Sequence, residues 1–193
     1  MKGASRVICK RLMAPLIALA LMTSAMGRQS GAETAAGGDF TLTDHNGAKF
    51  RLADQRGKAI LLFFGYTSCT EACPVILSRI NSVFRQLGDG RERALAVFIS
   101  VDPQRDTAEV LREYVKYFSA HTVALTGTKE ELDEVARRYG AKYEIEKSES
   151  ALGYHVSHTT DIYLIDQRGA LRSRFKHTDR AEMIVEGVKR LWQ

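Results

Sequence analysis

Hydrophobic residues form a continuous run at residues 59–64 and a second run, with Ser100 as its one polar position, at residues 94–101. A continuous apolar run, unlike an alternating one, is typical of a strand that is covered on both faces. The first run leads into a helical pattern of apolar positions from Val75 to Leu87, and Gly88 follows that pattern. The sequence therefore predicts two buried strands joined by a helix.

Turn and capping sequences divide the rest of the chain into shorter elements. Asn46-Gly47 lies between alternating segments and indicates a hairpin, because both residues tolerate positive φ. Capping patterns that begin at Asp106, Thr128 and Asp179 predict three further helices. Predicted strands, including one arm of a loose hairpin around Tyr143 and Ile145, lie at residues 40–43, 50–52, 122–125, 143–145, 161–165 and 170–175.

This order of elements predicts an α/β protein with a thioredoxin-like fold. The alternation of strands and helices implies a mostly parallel central sheet that is flanked by helices. The outer elements add an N-terminal and a C-terminal hairpin. In open sheets of this kind the chemistry lies beyond the carboxyl ends of the strands, so a functional site is expected directly after residue 64.

The formal net charge of +5 does not indicate a nucleic-acid-binding protein. Four basic residues, Lys2, Arg6, Lys10 and Arg11, precede the first apolar segment of the chain, and no acidic residue accompanies them. In the remainder, basic and acidic residues are nearly equal in number, so the basic patch that binds nucleic acid is not expected. The hydrophobic content of 45% is ordinary for a globular protein.

The N-terminus has the layout of an export signal, predicted over residues 1–26. An apolar run from Leu12 to Met22 follows the basic segment, and small residues follow that run. About 20 apolar residues are needed to cross a bilayer, so a cleaved signal is favoured over an uncleaved anchor at the outer face of the inner membrane. Residues 27–39 are predicted as a flexible lead-in and residues 40–193 as one domain. The expected location is the bacterial periplasm.

Two cysteines, Cys69 and Cys73, lie in the predicted domain, whereas Cys9 falls in the export signal. They stand between a buried strand and a helix start, where backbone N–H groups and the helix dipole stabilise a thiolate. Residues four apart lie on one helix face, so both sulfurs can point at one position. Two thiolates with one imidazole suit Cu(I) and tolerate Cu(II). The pair is thus a metal clamp, a redox pair or two packed thiols.

His158 is the histidine best placed to complete a metal site. It precedes the strand predicted at residues 161–165, at the junction where a thioredoxin-like redox enzyme carries a cis proline that faces the cysteines. The three prolines of the chain, Pro15, Pro74 and Pro103, all lie elsewhere. An imidazole opposite the two sulfurs favours metal capture over simple disulfide exchange.

The other histidines and the methionines are interpreted as structural. His45 lies in the predicted turn and His155 in a polar loop, and both are expected to be solvated. Neither His121 nor His177 has a cysteine or acidic partner in sequence. Met183 is expected on the packed face of the last helix, and the other methionines belong to the export signal.

Three sequence motifs resemble those of the SCO/SenC family of copper-binding proteins that assemble cytochrome c oxidase. They occur in the family's order, and the similarity runs from Phe40 to the C-terminus. The first motif contains the two cysteines and the third contains His158. The motifs read Phe64-Gly65-Tyr66-Thr67 with Cys69-x-x-x-Cys73-Pro74, then Val101-Asp102-Pro103-x-Arg105-Asp106-Thr107, then Tyr154-x-Val156-x-His158-Thr159 followed by Tyr163-Leu164-Ile165-Asp166.

The resemblance implies one copper ion bound by Cys69, Cys73 and His158, and delivery to the copper-site subunit of cytochrome c oxidase near the membrane. It implies a binding protein rather than an enzyme. Some members are instead similar to thiol–disulfide oxidoreductases, which here would use Cys69 and Cys73 to keep the cysteines of a redox partner reduced. A peroxidase, in which Cys69 attacks peroxide, is a third alternative, for which no Arg or Thr is suitably placed.

Several positions depart from the pattern that is usual in the family. Thr70-Glu71-Ala72 stands between the cysteines in place of Pro-Asp-Val, Ser157 replaces an aspartate, and Asp161 replaces an apolar residue. In the second motif, Asp102 and Asp106 have structural explanations as a strand end and a helix cap. A role near the metal is considered for Asp102 alone.

Overall fold

The computed structural model describes residues 37–118, 121–148 and 153–193. The predicted export signal (residues 1–26) and residues 27–36 of the predicted lead-in lie outside the described residues. The last residues of the lead-in contact the domain: the backbone N–H of Gly37 donates to the carbonyl of Arg138 (2.7 Å), and Asp39 pairs with Arg56 at 2.6 Å. None of the helices in the described ranges is long and apolar enough to cross a membrane.

The described part of the chain contains nine strands and four α-helices, with short 3-10 helices at Leu52–Gln55, Gly88–Arg93 and Val115–Tyr117. The strands are β1 (Thr41–Asp44), β2 (Lys49–Arg51), β3 (Ala59–Gly65), β4 (Ala94–Ser100), β5 (Thr122–Thr126), β6 (Tyr143–Lys147), β7 (Tyr154–His158), β8 (Ile162–Ile165) and β9 (Leu171–Phe175). The helices are α1 (Ala72–Leu87), α2 (Ala108–Tyr114), α3 (Lys129–Tyr139) and α4 (Ala181–Arg190).

The strands form a main sheet of seven strands in the order β2-β1-β5-β4-β3-β8-β9 and a separate two-stranded sheet of β6 and β7. At the centre, β5, β4 and β3 run parallel. Antiparallel hairpins, β1–β2 and β8–β9, flank this centre. The predicted thioredoxin-like α/β fold, with a parallel centre and a hairpin at each end, is confirmed.

Strand β3 is covered on both faces, as its continuous apolar sequence predicts. All of its residues are buried. Leu61 and Phe63 pack in a core layer with α1 and α4, whereas Leu62 and Phe64 pack in a second layer with α3. Because both layers hold β3, its carboxyl end is a fixed support for the loop that carries the cysteines.

The starts of α3 and α2 test two of the capping predictions. The first is confirmed, since Thr128 and Glu131 form a complete capping box at α3. At α2 the prediction is wrong by one residue: Thr107 is the cap, and its side chain accepts a hydrogen bond from the backbone N–H of Val110 (3.3 Å). Asp106 turns inward instead, where three hydrogen bonds to its carboxylate hold it.

The last helix differs from the sequence expectation at two positions. Asp179 does not cap α4, because its carboxylate accepts a hydrogen bond from the backbone N–H of Lys176 (2.8 Å) in the preceding turn. The helix begins after Arg180 without a side-chain cap. Met183 is 44% exposed rather than packed, and its neighbour Ile184 is the residue that enters the core. The predicted packed face with Ile184 and Val188 is confirmed, since both are buried, and only the placement of Met183 on that face is wrong.

Candidate metal centre

Cys69 and Cys73 follow β3 at the carboxyl edge of the parallel strands, as predicted. Residues 66–69 form a turn in which the N–H of Cys69 donates to the carbonyl of Tyr66 (3.2 Å). The predicted helix-face arrangement is wrong, because α1 begins at Ala72 and Cys69 lies outside it. The turn instead brings Cys69 Sγ to 3.5 Å from the backbone nitrogen of Cys73, at the first turn of the helix. The free N–H groups of a helix start stabilise negative charge there.

His158 reaches the cysteines from the separate β6–β7 sheet. It is the last residue of β7, so the segment predicted as a polar loop is a strand up to this point. Its Nδ1 lies 3.1 Å from the carbonyl oxygen of Thr159. A carbonyl only accepts hydrogen bonds, so Nδ1 is the donor in this contact, and Nε2 is the ring nitrogen that faces the sulfurs. Nε2 lies 3.8 Å from Cys73 Sγ, and the donor atoms of Cys69, Cys73 and His158 all lie within 4.8 Å of one another.

This set of donor atoms could hold one metal ion. Ligand atoms bound to one ion at about 2.0–2.3 Å lie no more than about 4.6 Å apart, close to the separation found here. Two sulfurs and an imidazole nitrogen suit soft or borderline ions such as copper and zinc better than magnesium or calcium. The contact of Nδ1 with Thr159 also fixes the ring orientation, which is how ligand histidines are commonly held.

The two thiols differ strongly in acidity. A hydrogen bond from the Cys73 thiol lowers the pKa of Cys69 to about 3. The pKa of Cys73 is raised, because its proton is held in that hydrogen bond and because the thiol is buried. The first negative charge therefore lies on Cys69, which is half-buried. The proton on Cys73 is the one that a bound metal ion would displace.

We expect an alkylating reagent to modify Cys69 well before Cys73. The thiolate is the reactive form of cysteine, and Cys69 is both ionised and accessible. Iodoacetamide should therefore label Cys69 at a rate that changes little with pH above about 5. Peptide mass spectrometry of the reduced protein after a short exposure measures both sites. Equal labelling, or a Cys69 rate that keeps rising towards the ordinary thiol pKa of about 8.5, would contradict the assignment.

Gly65 leaves room for the Cys73 sulfur against the end of β3. A Cβ atom at Gly65 would lie 2.6 Å from Cys73 Sγ and 2.9 Å from the ring of Phe98. Both distances are well inside van der Waals contact, and Phe98 is held in the core. A larger residue at position 65 would therefore displace the sulfur of Cys73.

A buried carboxylate holds the turn that carries Cys69. Asp106 is fully buried and accepts hydrogen bonds from the backbone N–H of Thr67 (3.0 Å), from Thr67 Oγ1 (2.6 Å) and from Ser100 Oγ (2.6 Å). Burial raises the pKa of this carboxyl group. The sequence assigned Asp106 to a helix cap; the pattern around it contains no signal for a bond to Thr67, which is 39 residues away.

Tyr66 also lies at the site, and the sequence did not predict this position. Its ring meets the imidazole of His158 edge-on, with the centroids 5.7 Å apart. The backbone of Val156 hydrogen-bonds to the Tyr66 hydroxyl. Tyr66 is buried, so this side chain packs directly beneath β7 and supports the ligand histidine from one side.

Two histidines are less free than the sequence predicts. His45 is not simply solvated, because its Nδ1 accepts a hydrogen bond from the backbone N–H of Ala124 in β5 (3.2 Å). His121 has an acidic partner after all: its Nε2 lies 3.4 Å from Glu92. Its ring also stacks on Phe84, with 5.6 Å between the centroids. In both cases the partner is distant in sequence, so the local pattern gave no indication of it.

The last two histidines lie near the site without joining the group of donor atoms. His155 lies in β7 rather than in a loop, and its side chain is 54% exposed, with Nε2 3.0 Å from Glu146. Nδ1 of His177 lies 2.8 Å from Thr160 Oγ1. His158 is therefore the histidine that the structure brings to the two cysteines, as the sequence predicts.

Two departures from the family pattern are accommodated away from the sulfurs. Asp161 is nearly buried, and Lys176 Nζ lies 3.0 Å from its carboxylate. Its charge is thus paired within the chain. Ser157 is exposed and precedes His158 in β7. Successive strand residues point to opposite faces, so the side chain of Ser157 points away from the face that carries His158.

An open cavity of about 510 Å³ leads to Cys69 and His158. Tyr66 lies in its wall, and the exposed side chains of Glu71 and His155 lie along it. Cys73 Sγ lies deeper, beneath the other two donors. A metal ion, or a thiol of another molecule, would therefore meet Cys69 before Cys73.

The similarity to known proteins covers the part of the chain that carries these residues. The family described as SCO1/SenC matches residues 28–193. The chain belongs to this family. An SCO2-like protein of Rickettsia prowazekii is 35% identical over 154 residues, which cover 79% of the present chain and 75% of the relative. The human mitochondrial SCO1 homolog is 36% identical over 154 residues, which cover 79% of the present chain and 51% of the relative. The chain thus spans about half the length of that protein.

A solved structure of Bradyrhizobium japonicum ScoI with copper bound is similar to this SCO1/SenC protein throughout the domain. Its TM-score is 0.74 and its sequence identity 36%, and the similarity covers 81% of the present chain and 99% of the other. The likeness confirms the fold. Structures of related Sco proteins are therefore known with copper bound, and in the present chain Cys69, Cys73 and His158 form a group that could hold one such ion.

Proposed function

We propose that this protein is an exported metallochaperone that binds one copper ion through Cys69, Cys73 and His158 and delivers it to the copper site of cytochrome c oxidase. The observation that supports this most directly is the convergence of two sulfurs and one imidazole nitrogen within 4.8 Å. The sulfurs come from the loop and helix start after β3, and the imidazole comes from β7, 85 residues beyond Cys73. Such a convergence favours a bound metal ion over simple packing, since it places three metal-ligating atoms at one point.

The geometry also favours transfer of the ion over permanent storage. Three protein ligands leave coordination positions open, and Cys69 lies at the cavity where an incoming ligand can reach it. An acceptor thiolate or imidazole can therefore bind the ion before the last chaperone ligand leaves. The oxidase copper-site subunit as acceptor rests on the family resemblance.

Export is part of the proposal and rests on the sequence of residues 1–26. In an oxidising compartment such as the periplasm, Cys69 and Cys73 would tend to form a disulfide. Copper could then bind only after a thiol-redox partner has reduced the pair. The chaperone would work close to the membrane, where the acceptor is located.

A thiol–disulfide oxidoreductase is the alternative function, and one observation favours it. Cys69 has the low pKa and partial exposure of an attacking thiol, while Cys73 lies behind it with its proton retained. This is the arrangement that an attacking and a resolving cysteine require. His158 is not needed for that reaction, so its role distinguishes the two functions.

Metal analysis of the reduced full-length protein tests the proposal. After anaerobic loading with Cu(I) and removal of excess metal, we expect one copper per chain, and loss of that copper in Cys69→Ser and Cys73→Ser. Cys9→Ser is the matched control, because Cys9 lies in the predicted signal and should leave the stoichiometry unchanged. No copper above background in the reduced protein, together with turnover in a disulfide-reduction assay, would establish the oxidoreductase instead.

A further inference from the structure

Strand β7, which carries His158 at its end, depends on side chains for its position. Among the described residues, β6 and β7 pair with each other and with no strand of the main sheet. Alternate residues of β7, Tyr154, Val156 and His158, face the body of the domain, while the two residues between them are exposed. Contacts made by these three residues therefore fix where the imidazole lies.

At the start of β7, Tyr154 is held by Asp102 and Arg105. The hydroxyl of Tyr154 donates to Asp102 Oδ1 (2.7 Å), and Arg105 Nη1 donates to the carbonyl oxygen of Tyr154 (3.1 Å). The guanidinium of Arg105 also lies over the Tyr154 ring, 3.7 Å from its centroid. These three contacts hold both the side chain and the backbone of the strand's first residue.

Asp102 and Arg105 are themselves fixed. Asp102 is 1% exposed, and its backbone N–H donates to Ser100 Oγ (3.1 Å). Its other carboxylate oxygen accepts a hydrogen bond from Arg105 Nε. The buried Asp102 carboxylate has little freedom, because moving Arg105 away would leave its charge uncompensated in the interior.

Tyr66 continues the same contacts along β7 towards the ligand. The Arg105 guanidinium lies 5.7 Å from the centroid of the Tyr66 ring, and the edge-on contact of that ring with His158 follows on the other side. Midway along the strand, the backbone of Val156 is bonded to the Tyr66 hydroxyl. Asp102, Arg105 and Tyr66 thus form a ledge on which the inward face of β7 rests from Tyr154 to His158.

We propose that Arg105 and Tyr154 are positioning residues for the metal ligand: they fasten β7 to this ledge, and so hold His158 within reach of the two sulfurs. Neither of them belongs to the group of donor atoms. Sequence patterns explain Asp102 as a strand end, whereas in the structure its two carboxylate oxygens accept hydrogen bonds from Arg105 and Tyr154. The consequence for copper rests on the proposed function, whereas the fastening of β7 does not.

Hydrogen exchange of the apoprotein tests the fastening alone. Tyr154→Phe removes only the bond to Asp102. Arg105→Lys removes the bond to the Tyr154 carbonyl, the stacked guanidinium and the Nε bond to Asp102. In both variants we expect the amides of residues 154–158 to exchange at least about tenfold faster, with β3 and β4 unchanged. Tyr117→Phe is the matched control, because Tyr117 is 75% exposed. Unchanged exchange in β7 for both variants would overturn the proposal, whether or not the protein binds copper.

Copper affinity tests whether the two residues act through His158. Loss of a residue that orients a ligand typically weakens metal binding about 10–100-fold, and we expect a loss of this size for Arg105→Lys in a Cu(I) competition titration. In a His158→Ala background, where the two thiolates still compete for Cu(I), the same change should cause no further loss. An equal loss in both backgrounds would show that Arg105 acts independently of His158 and would overturn the proposal. If the parent protein binds no copper at all, the proposed function fails and the exchange experiment still decides the fastening.

Discussion

Replacing His158 with alanine is expected to weaken Cu(I) binding strongly, because the change removes a ligand itself. Loss of a residue that only orients a ligand weakens metal binding about 10–100-fold, and the loss here should be larger. The imidazole supplies one of the three donor atoms in the group, and Nε2 already lies 3.8 Å from Cys73 Sγ. No neighbouring histidine can take its place, because His155 is exposed and paired with Glu146. A competition titration with a Cu(I) chelator under anaerobic conditions measures the loss.

The same variant should still form the Cys69–Cys73 disulfide. The low pKa of Cys69 arises first from the hydrogen bond of Cys73, which remains in this variant, and only in smaller part from a hydrogen bond of His158. Thiol counting after mild oxidation therefore separates the two functions. His155→Ala is the control, since it removes a nearby histidine of the same strand and should leave copper affinity unchanged. Equal copper binding in His158→Ala and the parent protein would contradict the three-ligand site.

The sequence was sufficient for those parts of the site that depend on local patterns. A continuous apolar run predicts the fully buried β3. The residues directly after such a strand lie at the carboxyl edge of the parallel strands. Cys69 and Cys73 are placed there by this argument alone. His158 could be placed opposite them because it stands at the junction before β8, a position that element order defines.

The parts that failed are those that long-range contacts decide. Cys69 and Cys73 do not share a helix face, since the turn from residue 66 to 69 and not the spacing brings the sulfurs together. Asp106 and Thr107 both suit a helix cap, and only a contact from a distant loop determines which one turns inward. The ledge beneath β7 joins residues about 50 and 90 positions apart, so no local periodicity records it.

Replacing Asp106 with alanine is expected to destabilise the fold by on the order of 3 kcal/mol, because it leaves buried donors without partners, each costing about 1–3 kcal/mol. The donors are the backbone N–H and hydroxyl of Thr67 and the hydroxyl of Ser100. Asp106→Asn is the matched control. Its amide oxygen can accept from Thr67 N–H and Ser100, and its amide nitrogen can donate to Thr67 Oγ1, so its stability should lie within about 1 kcal/mol of the parent. Urea unfolding measures both; equal destabilisation by the two changes would show that the hydrogen bonds are not what matters.

Comparison of the parent with Asp106→Asn also isolates the effect of the Asp106 charge on the free energy of unfolding. Burial raises the pKa of Asp106 above 3.8 in the folded state, so the folded protein holds this proton more tightly than the unfolded chain does. Stability from such a group is fully present below the unfolded pKa and declines as pH rises towards the folded one. The parent minus Asp106→Asn difference in unfolding free energy should therefore be largest in acid, fall as pH rises through that window, and stay constant above it. Carboxylates that do not interact with Asp106 contribute equally to both proteins and cancel, whereas Asp102 is coupled to Asp106 by charge repulsion. A difference that grows with pH would mean that the hydrogen bonds from Thr67 and Ser100 outweigh desolvation, and that Asp106 holds the Cys69 turn as a favoured anion.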